Sequence, residues 1–306
     1  MKKRKIHTLK IARDTFEENP RIPLVHLHRK VKKKVGVRMR DTTTRYIKEG
    51  LNLGVIRQPR PLLKYHDNVH QHISFIEGNL LDFEEFTKKE KDFRYACALS
   101  GESEIIMVTS FSSSGQDLLY LAFTRANGYT LEERQCLKKM SFSPKEEPRL
   151  ISIPTPTPHL KWEGIDWGLF YALSPNLRIS YAELSENIHL GWRAIKNKMK
   201  KKILPSCSVA TYFFPKGQGN YQQLYVQFKT EYQKNFLEKF DYMPTTVYFM
   251  LFENKEVGLI LFPENINEII KFFKKIEIEG IIDDFRHLTP LAWYHSEGSG
   301  WAGPGT

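Results

Sequence analysis

The residues best suited to chemistry in this chain are cations and threonines that recur between Arg38 and Lys48. Arg38, Thr42 and Arg45 lie four and three residues apart, so a helix would place them on one face. Arginine can donate two hydrogen bonds to guanine, and threonine can contact bases in several ways. The spacing predicts a recognition helix that reads duplex DNA. The predicted contacts in this stretch are Arg38, Arg40, Thr42, Thr43, Arg45 and Lys48.

Further cations flank this stretch and would contact backbone phosphates. Such contacts fix the position of the protein on DNA but do not distinguish one base sequence from another. Residues 1–64 contain 19 Lys and Arg against 5 Asp and Glu, although the net charge of the whole chain is only +11. The rest of the chain is therefore slightly acidic, and this asymmetry suits a polyanion such as nucleic acid. A solvated basic face is the alternative. The predicted phosphate contacts are Lys30, Lys32, Lys33, Lys34, Arg57 and Arg60.

A second basic stretch runs from Gly191 to Pro205 and contains six cations and no acid. It is either a second DNA-reading helix or a solvated basic helix in which Trp192 packs into the core or against a partner. Both interpretations stay open at this point. The candidate contacts are Arg193, Lys196, Asn197 and Lys200.

A short pattern occurs twice, 157 residues apart. Asn19-Pro20-Arg21-Ile22 precedes Leu27 and Val31, and Asn176-Leu177-Arg178-Ile179 precedes Leu184 and Ile188 at the same spacing. Each copy continues into a basic helix and a strand-rich segment, which indicates an internal duplication. Each unit is predicted to be a winged helix-turn-helix followed by a ferredoxin-like α+β sandwich. The predicted divisions are 1–64 and 65–142 for the first pair, 143–160 for a Pro-rich linker, 161–216 and 217–294 for the second pair, and 295–306 for a flexible tail.

Three local predictions within this plan concern strands. Val55 to Leu63 is expected to form a short hairpin or wing, and 274–278 and 283–290 are expected to supply edge strands. The segments 245–252 and 257–262 are nearly continuous apolar runs, so both of their faces should be covered. An internal pseudo-dimer of the two sheet domains would cover them, and a homodimer is the alternative.

The stretch Ile179 to Ile188, followed by Arg193 to Lys202, resembles the DNA-binding half of the leucine-responsive (Lrp/AsnC, feast/famine) transcription regulators. In that family a winged helix precedes a sheet domain that dimerises and senses small molecules. The resemblance implies two tandem units, a DNA partner and a small-molecule effector. The chain departs from the family at the insertion Lys32-Lys33-Lys34 and at Trp192, where a small polar residue is common.

The same family contains the sirohaem decarboxylases, so the resemblance also implies a rival function, an enzyme that acts on a tetrapyrrole. His66, His70 or His72 would be among its contacts, and His70 and His72 would share one face of a strand. Polar residues on a wet strand face explain them equally well. The chain contains no phosphate-binding loop or hydrolase motif. We therefore expect a regulator that catalyses no reaction and holds no cofactor or metal.

Cys97, Cys136 and Cys207 are too few and too widely spaced to indicate a disulfide framework. No uncharged apolar run approaches the roughly 18 residues of a membrane span. These features predict a cytoplasmic protein without a membrane partner.

Overall fold

The structure is a computed structural model that describes residues 3–69, 72–89, 95–101, 103–110, 116–143, 145–152 and 159–295. Three helices open the chain: α1 (Lys3–Glu18), α2 (Leu24–Val35) and α3 (Arg40–Asn52). They bury one apolar cluster that includes Leu9, Phe16, Leu27 and Ile47. Gly36 ends α2 with φ 73°, a left-handed conformation that costs glycine little.

The remainder of the first half is mainly strand. Its elements are β1 (Arg60–Leu63), β2 (His72–Glu77), α4 (Leu80–Lys89), β3 (Tyr95–Gly101), β4 (Ile105–Ser110), β5 (Gln116–Asp117), β6 (Tyr120–Phe123) and α5 (Glu133–Lys139). The predicted linker then begins, and its segment 145–152 packs on the second half, whereas Leu160 at its end bonds to Asn68 of the first half. The backbone amide of Arg149 donates to Asn235 at 3.0 Å, and its guanidinium pairs with Glu238.

Apart from a π-helical turn and one additional short helix, the second half repeats the order of elements of the first as far as its fourth strand. It contains α6 (Gly164–Leu173), α7 (Tyr181–Ile188), α8 (Trp192–Lys198), a π-helical turn (Met199–Ile203), the short α9 (Leu204–Ser206), β7 (Cys207–Ala210), β8 (Leu224–Lys229), α10 (Gln233–Phe240), β9 (Tyr248–Leu251), β10 (Glu256–Leu261), α11 (Ile266–Ile278) and β11 (Asp283–His295). In the described ranges, no helix has both the length and the apolar composition needed to cross a membrane.

Strands from both halves join in one antiparallel sheet. Among the described residues it has nine strands, in the order β5-β2-β4-β3-β11-β8-β10-β9-β6. β11 of the second half pairs with β3 of the first, and β6 of the first half pairs with β9 of the second. The predicted α+β class is confirmed, and the two sheet domains are continuous with each other.

Each face of this sheet carries its own apolar cluster. On one face, strands β8 to β10 pack on α10 and α11 through Phe236, Phe240 and Phe273. On the other, Ile73 and Met107 of the first half share a cluster with residues of the second half. β9 is buried along its whole length, and so is β10 after its first residue. The expectation that these runs are covered on both faces is confirmed.

Two of the strand predictions are wrong. Residues 274–278 are the last turns of α11, because Ile269, Phe273 and Ile276 recur at helical spacing and are buried. Ile278, at the end of the helix, is 87% exposed. Asp283–His295 is a strand, yet it lies in the middle of the sheet and not at an edge.

The segment expected to form a hairpin also pairs differently. Its strand, β1, pairs antiparallel with β7, so that Arg60 lies opposite Ala210 and Leu63 opposite Cys207. These two strands occupy equivalent places in the two halves. The wing regions of the two modules are therefore joined directly by a two-stranded ladder.

The arginines of the duplicated pattern make a second, reciprocal connection between the modules. Arg21 donates to the carbonyl oxygens of Leu177 and Ile179 at 2.6 and 2.9 Å. Arg178 donates to those of Pro20 and Ile22 at 2.7 and 3.1 Å. In a two-fold interface, a residue of one copy contacts a residue of the other, and the equivalent contact is made in the opposite direction. The repeat therefore relates the two modules by an approximate two-fold axis.

Candidate nucleic-acid interface

The last turn of α2 displays the inserted lysines. α2 has 12 residues and its counterpart α7 has 8, so the insertion lengthens the helix by about one turn. Val31 stays buried, while Lys32, Lys33 and Lys34 are exposed. Their ammonium groups also lie at the carboxyl end of the helix, where the macrodipole favours cations. Lys30 is exposed but pairs with Glu18 at 2.8 Å.

The start of α3 is open to an anion. Its N-cap residue Met39 makes no side-chain hydrogen bond to the helix, so the first backbone N–H groups lack a side-chain partner. Arg38 and Arg40 are exposed beside it. A groove of about 450 Å³ runs along this end, and its lining includes Arg4, Arg38 and Thr42 but no carboxylate. Backbone donors, a helix dipole and guanidinium groups together favour phosphate.

The outer face of α3 carries the remaining predicted contacts. Arg45 and Lys48 are exposed, with the guanidinium of Arg45 3.9 Å from Glu49. Thr42 is half-buried and lines the groove. Thr43 was predicted to contact DNA, but it is 0% exposed and its hydroxyl lies 2.9 Å from Nδ1 of His28. Thr43 therefore holds α2 against α3 and does not reach the surface.

Arg57 and Arg60 also differ from the exposed cations that the sequence predicts. Arg57 is half-buried and donates two hydrogen bonds, 3.0 and 2.9 Å long, to the side-chain oxygen of Gln218. Arg60 lies in β1, and its Nε is buried without a partner. Burial lowers the pKa of Arg57, and the charge of Arg60 lowers it further. Both lie within electrostatic range of the buried Tyr212 and Tyr248, so they belong to the interior beside the sheet.

Two of the six cations in the second basic stretch are paired with a buried carboxylate. Lys198 and Lys202 bind the two oxygens of Asp166 at 2.7 and 2.6 Å, and that carboxylate is fully buried. Trp192 is 51% exposed, so it does not pack into the core, and the guanidinium of Arg193 lies 5.3 Å from its ring. The candidate contacts Arg193, Lys196, Asn197 and Lys200 are all exposed, and so is Lys201.

The histidines considered for a tetrapyrrole enzyme are only partly described. His66 is 1% exposed, and its Nε2 lies 3.3 Å from the carbonyl oxygen of Ser206. His72 is half-buried at the start of β2, and His70 lies outside the described residues. Within the described ranges, no three His, Cys, Asp or Glu side chains are grouped closely enough to hold a metal ion.

The sequence alone does not indicate two features of the structure. Arg4 enters the groove at α3 because α1 passes close to it, and the only signal was the basic run at the start of the chain. The repeated Arg21 and Arg178 were visible as a pattern, but their carbonyl partners lie on the other copy.

The chain is similar over most of its length to a solved enzyme structure. The sequence matches no protein-family model and no curated protein. A crystal structure of the siroheme decarboxylase NirDL is similar with 12% identity and a TM-score of 0.46, covering 93% of this chain and 92% of that one. A co-complex of the same enzyme with an iron-uroporphyrin III analogue gives the same identity and TM-score, covering 95% and 94%.

Proposed function

We propose that the first module binds duplex DNA and that the protein is a sequence-specific transcription regulator. In this proposal α3 enters the major groove, and Arg38, Arg40 and Arg45 reach base edges or adjacent phosphates. The observation that carries it is the uncapped start of α3, which opens into a groove lined by Arg4 and Arg38 without a carboxylate. The lysines that end α2 would contact phosphates beside this groove.

The proposal predicts binding that depends steeply on salt. Each phosphate that the protein neutralises contributes roughly −0.9 to the slope of log K against log salt concentration. Selection from a pool of random duplexes would supply the preferred site, and fluorescence anisotropy between 50 and 300 mM KCl would give the slope. An affinity that does not change across this range would remove DNA binding as the function.

Two substitutions distinguish a residue that reads base sequence from a residue that contacts only the phosphate backbone. Arg45→Ala should cost about 1–3 kcal/mol on the selected site and relax its base preference. Lys33→Ala should weaken binding to all sequences alike and reduce the salt slope by about 1. Lys271→Ala is the matched control, because Lys271 is 75% exposed on α11, a helix of the other half. A changed base preference in Lys33→Ala but not in Arg45→Ala would place the recognition surface elsewhere.

A second candidate function, binding of an anionic small molecule, is favoured by Arg57 and Arg60. In the described part of the chain neither guanidinium is paired with a carboxylate, and Nε of Arg60 is buried without any partner. A partly buried guanidinium without a counter-charge favours an anion, and a ligand carboxylate would supply that charge. Such a ligand would be an effector of the regulator. A tetrapyrrole, which bears several carboxylates, would instead support the rival enzyme.

An absorption titration distinguishes these ligands. The visible band of an iron-uroporphyrin should shift on addition of the protein if Arg57 and Arg60 bind a tetrapyrrole, and Arg60→Met should abolish the shift. Amino and dicarboxylic acids, followed by calorimetry, would report a smaller effector at the same arginine. If neither class of ligand binds, or if Arg60→Met binds as the wild type does, the site holds no anionic ligand.

A further inference from the structure

A second pocket lies beside α1 and shares Arg4 and Lys34 with the DNA-binding surface proposed above. It has a volume of about 720 Å³ and lies between α1, the last turn of α2 and the turn at Asn127 and Tyr129. This volume is in the range of small-molecule sites. Its lining carries the cations Lys3, Arg4, Lys10 and Lys34 and the imidazole of His7.

The single carboxylate among the lining residues is already engaged. Both oxygens of Asp14 accept from Nζ of Lys10, each at 2.7 Å, and Arg13 donates to the same group at 3.2 Å. Lys10 is 6% exposed, so the protein holds its ammonium group in one position. An ammonium group has three donors, and one of them remains for a ligand. The pocket therefore offers a fixed cation surrounded by further positive charge.

One wall of the pocket is aromatic. The hydroxyl of Tyr129 lies 2.6 Å from Nδ1 of His7, which orients both rings. Nζ of Lys10 lies 5.9 Å from the centre of the tyrosine ring. Ile11 and Val35 add apolar surface to the same lining. An apolar or planar group can therefore lie beside the cations.

We propose that this pocket binds a phosphorylated small molecule with an aromatic part, of the nucleotide class. Phosphate oxygens would be held by Lys3, Arg4 and Lys10, because several ammonium and guanidinium groups converge there without a free counter-charge. The aromatic part would lie against Tyr129. A phosphate of the DNA backbone has the same chemistry, but a concave pocket fits a small molecule better than a duplex. This inference does not depend on DNA binding.

Calorimetry on the full chain tests the pocket with four probes: ATP, pyrophosphate, adenosine and citrate. We expect ATP and pyrophosphate to bind, adenosine to fail for lack of phosphate, and citrate to bind at least tenfold more weakly than pyrophosphate. Lys10→Met should weaken ATP at least tenfold. Lys271→Met should leave ATP binding unchanged, because Lys271 is 75% exposed and pairs with Glu268 on α11. Tyr129→Leu should weaken ATP more than pyrophosphate.

A thermal melt shows whether each variant is folded, so that a loss of binding can be assigned to the pocket. If Lys10→Met does not fold, Lys3→Met replaces it, because Lys3 is exposed at the start of α1. The proposal is overturned if no phosphate compound binds at 10 mM or if Lys10→Met and Lys271→Met have equal effects. It is also overturned if ATP fails to bind while Lys10→Met lowers the salt slope of duplex binding by about 1, which would assign the pocket to the DNA backbone.

Discussion

At the scale of single residues, the repeated arginines act on the protein itself. Each guanidinium spans two carbonyl oxygens of the other module, and each also lies over an aromatic ring. Arg21 is 4.1 Å from the ring of Tyr181, and Arg178 is 4.6 Å from that of Phe16. The planar fork of arginine suits this arrangement, and a lysine ammonium does not. The sequence shows that the arginine recurs, but reciprocity appears only when both copies are placed in space.

Replacing either arginine should therefore loosen the connection between the modules. Arg21→Lys or Arg178→Lys should lower the free energy of unfolding by about 1–3 kcal/mol, because buried carbonyl oxygens lose their donor. Urea denaturation measures this. The matched control is Arg29→Lys, an exposed position of α2, which should change little. Losses no larger than that of the control would show that the contacts contribute nothing to stability.

Asp166 predicts a dependence of stability on pH. Burial raises the pKa of this carboxyl, but hydrogen bonds from Lys198 and Lys202 outweigh burial and leave its pKa below the ordinary 3.8. A carboxyl with a lowered pKa stabilises the fold above its unfolded-state pKa, and this contribution is lost as pH falls through the folded-state value. Asp166→Asn should therefore cost about 1–3 kcal/mol at neutral pH and progressively less below about pH 4.

Urea midpoints of the wild type and Asp166→Asn, measured from pH 3 to 8, test this prediction. Asp284→Asn is the control, because Asp284 is 61% exposed in its pair with Lys229 and such pairs contribute little. A difference between wild type and Asp166→Asn that keeps its size down to pH 3 would contradict the role of ionised Asp166.

At the scale of elements, the sequence predicts helices well where their apolar residues recur with a clear period. In α1 the buried Ile6, Leu9 and Phe16 recur at helical spacing, and in α11 Ile269, Phe273 and Ile276 do the same. The predictions failed where pairing is between distant segments. Nothing local shows that β1 pairs with β7 or that β11 lies between β3 and β8. Long-range pairing depends on how the halves meet, which period and composition do not encode.

The residues of the candidate site also divide into those that local sequence predicts and those that depend on contacts with distant segments. The exposed cations of α3 and of the last turn of α2 could be predicted from spacing and charge alone. The burial of Thr43 and the inward position of Arg57 could not, because both depend on contacts with other elements. A residue's type indicates what it can bind, whereas its neighbours in the fold decide what it reaches.

The additional turn of α2 gives a prediction at this scale. Replacing Lys32, Lys33 and Lys34 by Gln should keep the helix, because glutamine and lysine have similar helix propensities. The salt slope of duplex binding should fall by about 2–3, because each lost phosphate contact removes roughly 0.9. The same replacements at the exposed Lys271, Lys274 and Lys275 of α11 are the control. Equal changes in slope would mean that only the total charge matters.

At the scale of the whole molecule, the two halves complete each other's sheet. β3 of the first half has β11 of the second half as its neighbour, and β6 is held by β9. Leu99 and Met107 share a cluster with Phe252 and Ile260 across the same boundary. Removal of either half would therefore expose strand edges and apolar side chains together. Exposed edges of this kind pair with other chains.

A chain without Pro154 to Thr306 should consequently aggregate or self-associate, which light scattering after size-exclusion chromatography would detect. Supplying residues 159–295 as a separate chain should restore a soluble 1:1 complex, because β11 and β9 again cover β3 and β6. The full-length protein at the same concentration is the reference. A first half that stays monomeric and soluble at high concentration would mean that its sheet is complete without the second half. The continuous nine-stranded sheet would then not be the unit that holds the two modules together.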